Sequence, residues 1–149
     1  VRYFAADRVA GKFSMEELAA RLAESGALLG RRMEAADDSE PVRQRLAHII
    51  GIERWGQRRL RVALGEAPVN DEMDAYLPEN GLSSAELADE FKLTREDTVD
   101  LARKLISAEA AETPVSHNTF GPLATHSWLA YLYNHALTEA RLGKLPKVD

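Results

Sequence analysis

Apolar residues recur along this chain with the three- and four-residue spacing of amphipathic helices. Leu18, Leu22 and Leu29 mark one face of a first helix, with Met15 and Ala19 beside it. Ser14 followed by Glu17 has the spacing of a capping box, which predicts a helix over about residues 15 to 35. The run Asp37-Asp38-Ser39-Glu40-Pro41 supplies a turn, an N-cap and a proline suited to a first helical turn. A second helix is predicted from about 41 to 64, stopping before Gly65. Residues 66 to 82 hold Pro68, Pro78, Asn80 and Gly81 and read as a long connection, with room for a short helical turn near Asp71–Tyr76. Ser83 or Ser84 caps a third helix, from about 84 to 108. Thr113 to Pro122 reads as a loop, and a fourth helix is predicted from about 122 to 142, ending at Gly143.

No strand, hairpin signal, internal repeat or low-complexity stretch is evident. The expectation is an all-α fold: a four-helix bundle with a long crossover connection between the second and third helices. Short loops force neighbouring helices to be antiparallel, and a connection as long as 66 to 82 does not.

The fourth helix carries the most informative constellation. At about 100° per residue, Trp128, Leu132, His135, Glu139 and Leu142 fall within about 40° of one line. The stripe is expected to face the core, which turns His135 and Glu139 inward one turn apart. On the second helix, His48, Ile52, Trp55 and Val62 share a stripe, and Arg59 on the same line must snorkel or meet an acid. Two inward histidines and an inward carboxylate on facing helices are the parts of a three-ligand metal site. A buried, charged Glu139 needs a partner, and either a metal or Arg59 would supply it. A histidine on an apolar face is also an ordinary hydrogen-bonded core residue, and Glu139 could simply accept from His135. Trp55 and Trp128 read as core packing or as substrate platforms, with packing the commoner use. The arginines at 43, 45, 54, 58, 59 and 61 read as a solvated face balanced by acidic first and third helices.

Composition narrows the chemistry. The 149 residues are 45% hydrophobic and 29% charged, which fits a single domain over residues 1–149 that builds its core without staples. There is no cysteine, so a disulfide scaffold, a zinc-thiolate site, an iron–sulfur cluster and a cysteine nucleophile are excluded. Any metal site must draw on Asp, Glu and the four histidines, His48, His117, His126 and His135. The net charge of −5 argues against general nucleic-acid binding. No stretch approaches the roughly 20 apolar residues that cross a bilayer. Val1 to Lys12 lacks the apolar run of a secretory leader, so the expected location is cytoplasmic.

The run His117-Asn118-Thr119-Phe120-Gly121-Pro122-Leu123, followed by Trp128, His135 and Glu139, resembles the last-helix signature of the DinB/YfiT-like superfamily. In many members a His, an aromatic-Gly pair and a Leu precede a Trp, and a His-x-x-x-His pair begins seven residues after it, as His135 follows Trp128 here. The segment Leu46 to Trp55 is similar to that family's second helix, whose His is the first metal ligand, so His48 takes that place. The resemblance spans about residues 14 to 145. It departs at Glu139, which stands where most members carry the third His. A mycothiol-dependent branch also mixes two His and one Glu, with the Glu preceding the His.

The resemblance implies a bundle with a long connection between helices 2 and 3, often dimeric. It implies a divalent ion on His48, His135 and Glu139. A two-His-one-carboxylate set suits Zn2+, Ni2+, Fe2+ or Mn2+, and Zn2+ or Ni2+ is the expected occupant. It further implies a metal-dependent transferase, isomerase or hydrolase that activates a water or a low-molecular-weight thiol brought by a small-molecule substrate. His117 would lie at the bundle mouth, orienting substrate or shuttling a proton, or else be an exposed loop residue. Trp55, Arg59 and Trp128 are the further pocket candidates, and His126 has no assigned role. Two other readings stand beside this one. One is a non-catalytic ligand-binding or stress-associated module that has lost tight metal binding, with Glu139 paired to Arg59 or a His. The other is a structural dimerisation domain.

Overall fold

The computed structural model describes residues 10–149, and the expectation about the N-terminus falls largely on residues outside that range. Over the described residues the chain is mainly helical with one small two-stranded sheet. Four long helices occur: α1 Met15–Glu34, α2 Glu40–Ala63, α3 Ser84–Ser107 and α4 Thr125–Leu142. Their starts follow from local chemistry. Ser14 and Glu17 form both bonds of a capping box, as do Ser83 and Glu86 at α3. Ser39 accepts from the Val42 amide, with Pro41 in the first turn of α2. Three helices end alike, α2 at Gly65, α3 at Glu109 and α4 at Lys144, each with positive φ at that residue. The following amide reaches back five residues in each case: Glu66 to Arg61, Ala110 to Leu105, Leu145 to Ala140.

Core membership gives the helix directions. One apolar cluster gathers the beginnings of α1 and α4 with the ends of α2 and α3, around Leu18, Leu22, Trp55, Leu105 and Trp128. The other gathers the opposite ends, around Leu29, Met33, Ile50, Phe91 and Ala136. α2 and α3 therefore run parallel, and the connection 66 to 82 carries the chain back from one end to the other. It holds a 3-10 turn at Met73–Tyr76, where a short helical turn is predicted. α1 packs on α3, α3 on α2, α2 on α4 and α4 on α1. No helix among the described residues is long and apolar enough to cross a membrane.

Two expectations are corrected. The segment before α4 is not a plain loop: β1 Pro114–His117 pairs antiparallel with β2 Gly121–Ala124. Asn118, Thr119 and Phe120 close the hairpin, and Gly121 takes φ +76, the left-handed conformation that such three-residue turns require. With only four residues per strand and a proline in each, the sequence carries no two-residue alternation to reveal them. Helix α4 accordingly starts at Thr125 rather than 122, and no side chain caps it. Its first amides, of Thr125 and His126, instead donate to the Thr113 and Ala111 carbonyls, both at 2.9 Å. The second correction is Leu142, placed by periodicity on the core stripe but 59% exposed. The chain reverses at Lys144, and Leu145 is buried instead.

Between the two apolar clusters lies a polar layer. Glu53 of α2 and Arg95 of α3 are 2% and 3% exposed and meet through two hydrogen bonds, of 2.6 and 2.9 Å. Thr98 donates to the same carboxylate, and Arg95 also donates to the Leu22 carbonyl and Ser25 hydroxyl of α1. Removing one partner leaves the other charge buried and unpaired. Glu53→Ala is expected to cost about 3–5 kcal/mol in urea denaturation, and the double variant Glu53→Met/Arg95→Met less than that single change. A loss below about 1 kcal/mol for Glu53→Ala would mean that water reaches the pair.

Candidate functional site

His48 projects from α2 and His135 and Glu139 from α4, one turn apart. The two helices approach closely where Gly56 meets Leu132: a Cβ at Gly56 would stand 2.5 Å from Leu132 Cδ2. That approach brings the imidazoles into contact. His135 Nε2 lies 3.3 Å from His48 Nε2, and the ring centroids are 5.1 Å apart. Glu139 Oε1 lies 4.0 Å from His48 Nε2, and one donor atom of each of the three residues falls within 4.8 Å of the others. All three side chains are partly buried, at the edge of the core rather than in its centre. His48 and Glu139 line a cavity of about 320 Å³ together with Pro41, Gln44 and Arg45.

Electrostatics disfavour a proton on His135. Burial and the neighbouring His48 ring push His135 down to about 4, although Glu139 and Glu53 pull the other way. An Nε2–H on one ring can donate to a bare Nε2 on the other across this distance. Glu139 does not meet Arg59, one of the partners the sequence offered; Arg45 Nη1 donates to its Oε1 at 2.6 Å. Arg45 sits one turn before His48 on α2.

The other candidates do not join this cluster. Arg59 is wholly buried and does meet an acid, Asp71 of the crossover connection, at 2.7 Å. It also donates to the Asp71 carbonyl and the Asn118 side chain, and its guanidinium lies over the Trp55 ring. The Tyr76 hydroxyl and Arg59 together hold the Asp71 carboxyl below its ordinary range. The reading of the arginines as one solvated face therefore fails at Arg59. Of the others, Arg54 reaches α3 at Glu90, while Arg43, Arg58 and Arg61 pair with acids near them in sequence.

Trp55 and Trp128 are core residues. Trp55 donates to the Asp71 carbonyl and Trp128, wholly buried, to the Val115 carbonyl of β1. His117 is not an exposed loop residue: it is buried against Trp55, Trp128 and Phe120, and its Nδ1 accepts from the Thr119 and Phe120 amides. Burial, with Arg59 nearby, lowers its pKa, so the neutral ring locks the hairpin turn. His126 meets the Phe13 carbonyl at 2.7 Å. Sequence reasoning missed Arg45, Asp71, Asn118 and the Glu53–Arg95 pair, whose partners lie far apart in the chain. Against models of protein families and against curated proteins, the chain has no match.

The His135 environment sets a pH dependence. The unfolded chain takes up a proton near pH 6.5, while the folded one resists it down to about pH 4. The unfolded state thus binds more protons across that interval, and stability falls as pH drops through it. The loss reaches about 3 kcal/mol and levels off below pH 4. Urea midpoints of chelator-treated protein between pH 7 and 4 should show this slope, flattened in His135→Gln. Equal slopes in the two proteins would refute it.

Proposed function

We propose that the four long helices form a DinB/YfiT-like four-helix bundle with a crossover connection, and that His48, His135 and Glu139 hold a divalent cation. The observation that carries this reading is the 3.3 Å between the two Nε2 atoms. Two imidazoles that share a tetrahedral ion at about 2.0–2.1 Å place their nitrogens roughly 3.3–3.4 Å apart. The donor set of two nitrogens and a carboxylate suits a borderline divalent ion, Zn2+ or Ni2+ above all. Three protein ligands leave a position open toward the cavity, the arrangement of a catalytic rather than a structural site. An ion held there supplies Lewis acidity, which makes a thiol or a water nucleophilic at neutral pH.

The residues around the site perform the remaining tasks. Neutral His135 presents a lone pair without first losing a proton, and His48 supplies the second nitrogen. Glu139 offsets the charge of a cation, and the apolar residues beneath, Leu132 and Ala136, keep water from the inner side. The chain has no cysteine, so a thiol in this chemistry arrives with the substrate or as a cosubstrate. On this reading the protein is a metal-dependent transferase, isomerase or hydrolase acting on a small molecule. A homodimer accompanies the reading and rests on the resemblance, and a cytoplasmic setting is proposed with it.

The 2.6 Å pair of Arg45 with Glu139 favours a second reading. With that ion pair and the histidine contact in place, the cluster is satisfied without a metal, as in a non-catalytic ligand-binding module. Elemental analysis and melting curves separate the two. Protein purified without an affinity tag is expected to carry about one equivalent of divalent metal, reduced below about a tenth in His48→Ala. Because a cation that binds only the folded state stabilises it by about 2.7 kcal/mol at a hundredfold over Kd, added Zn2+ or Ni2+ should raise Tm and chelator lower it. Absence of metal together with an unmoved Tm would favour the non-catalytic module.

A further inference from the structure

The cavity beside the imidazole pair has one permanent cation in its lining, Arg45. Its position is built in. The side chain lies across the C-terminal end of α4, where a Cβ at Gly143 would stand 2.9 Å from its Nε and 3.1 Å from its Cγ. Any larger residue there would displace it. The guanidinium is a planar fork with five donors, and among the described residues its hydrogen-bond acceptor is a single atom, Glu139 Oε1. The same oxygen is the one 4.0 Å from His48 Nε2. A cation between the imidazoles and the Arg45 guanidinium would therefore both draw on the Glu139 carboxylate.

We propose that Arg45 is the recognition residue for an oxyanion group, a carboxylate or a phosphate, on the small molecule that enters this cavity, and that Glu139 occupies the guanidinium until a metal draws it away. The trigger rests on the metal reading above; the recognition site itself does not. Charge gives the direction. With Glu139 on the ion, a doubly charged cation and a guanidinium share one cavity wall against a single carboxylate, so the mouth becomes net positive and favours an anion. The fork then offers paired N–H groups at the spacing of two oxyanion oxygens. A neutral substrate would leave the guanidinium unpaired on a half-buried wall.

The experiment uses Co2+ as the metal and acetate and methyl phosphate as the anions, with binding read by calorimetry and the metal by its d–d absorption. In chelator-treated protein, Glu139→Gln releases Arg45 without any metal. It is expected to bind one of the two anions at least about tenfold more tightly than chelator-treated wild type, and Arg45→Gln in that background to abolish the gain. Whichever anion binds identifies the substrate group. Co2+-loaded wild type should match Glu139→Gln without a change in the d–d band, since the anion sits on Arg45. Circular dichroism checks that each variant is helical. No gain in Glu139→Gln, or equal binding after Arg45→Gln, overturns the proposal. A shifted d–d band with Arg45-independent binding also overturns it, because the anion then ligates the metal. Failure of wild type to take up Co2+ defeats the metal reading alone, and the Glu139→Gln comparison still decides Arg45.

Discussion

Arg95 and Glu53 bury opposite charges in the middle of the helices, and much of the remaining geometry answers to that choice. A desolvated ion pair is tolerable only when nearly every donor and lone pair around it is used. Here the guanidinium spends Nε and Nη2 on Glu53 and Nη1 on the Leu22 carbonyl and Ser25 hydroxyl, while Thr98 completes the carboxylate. Gln57 donates to Thr98 and to the Thr94 carbonyl, extending the layer along the α2–α3 contact. The layer needs Gly26 on α1, because a Cβ there would fall 2.4 Å from Arg95 Cγ. A hydrophobic contact can slide by a fraction of a turn at little cost, and this network cannot. It therefore sets the height of α1, α2 and α3 relative to one another, and with it the height of His48.

A second node, around Arg59, does for the connections what the first does for the helices. Asp71 from the crossover, Asn118 from the hairpin turn and Trp55 from α2 all meet that one guanidinium or its Asp71 partner. The crossover is thereby held along α2 even though it contains a single short helical turn. The hairpin is fixed from the other side by Trp128, so the start of α4 has a defined position without a capping side chain. His135 and Glu139 lie on that helix, and their place opposite His48 depends on both nodes.

What the sequence makes legible follows from how local each interaction is. The capping boxes at Ser14 and Ser83 and the proline at position 41 act within one turn, and helix starts read from them agree with the structure at α1, α2 and α3 to within one residue. α4 lacks such a signal, and there the predicted start is early. The histidine pair was legible because the apolar stripes of α2 and α4 point both rings at the same seam. The partner of Glu139 was not, because Arg45 and Arg59 lie on the same helix and spacing alone does not rank them. Glu53 and Arg95 are separated by 42 positions and each resembles an ordinary solvated residue of a charged helix. Only their simultaneous burial gives them meaning, and burial is a property of the packed structure.

The carboxylate at position 139 explains why an arginine stands beside it. A third histidine would be neutral and would need no counter-charge when the site holds no cation. A glutamate that is 17% exposed would be left charged and poorly hydrated, a state that costs several kcal/mol without a partner. Arg45 relieves that cost at 2.6 Å and in doing so adds a fixed positive charge to the cavity wall. The two residues thus form a unit. Exchange of Glu139 for a histidine would leave Arg45 without its acid, while loss of Arg45 would leave a carboxylate without its ion-pair partner. Either single change alters the charge of the mouth, which ties whatever the site binds to the acid–base pair at its edge rather than to the histidines alone.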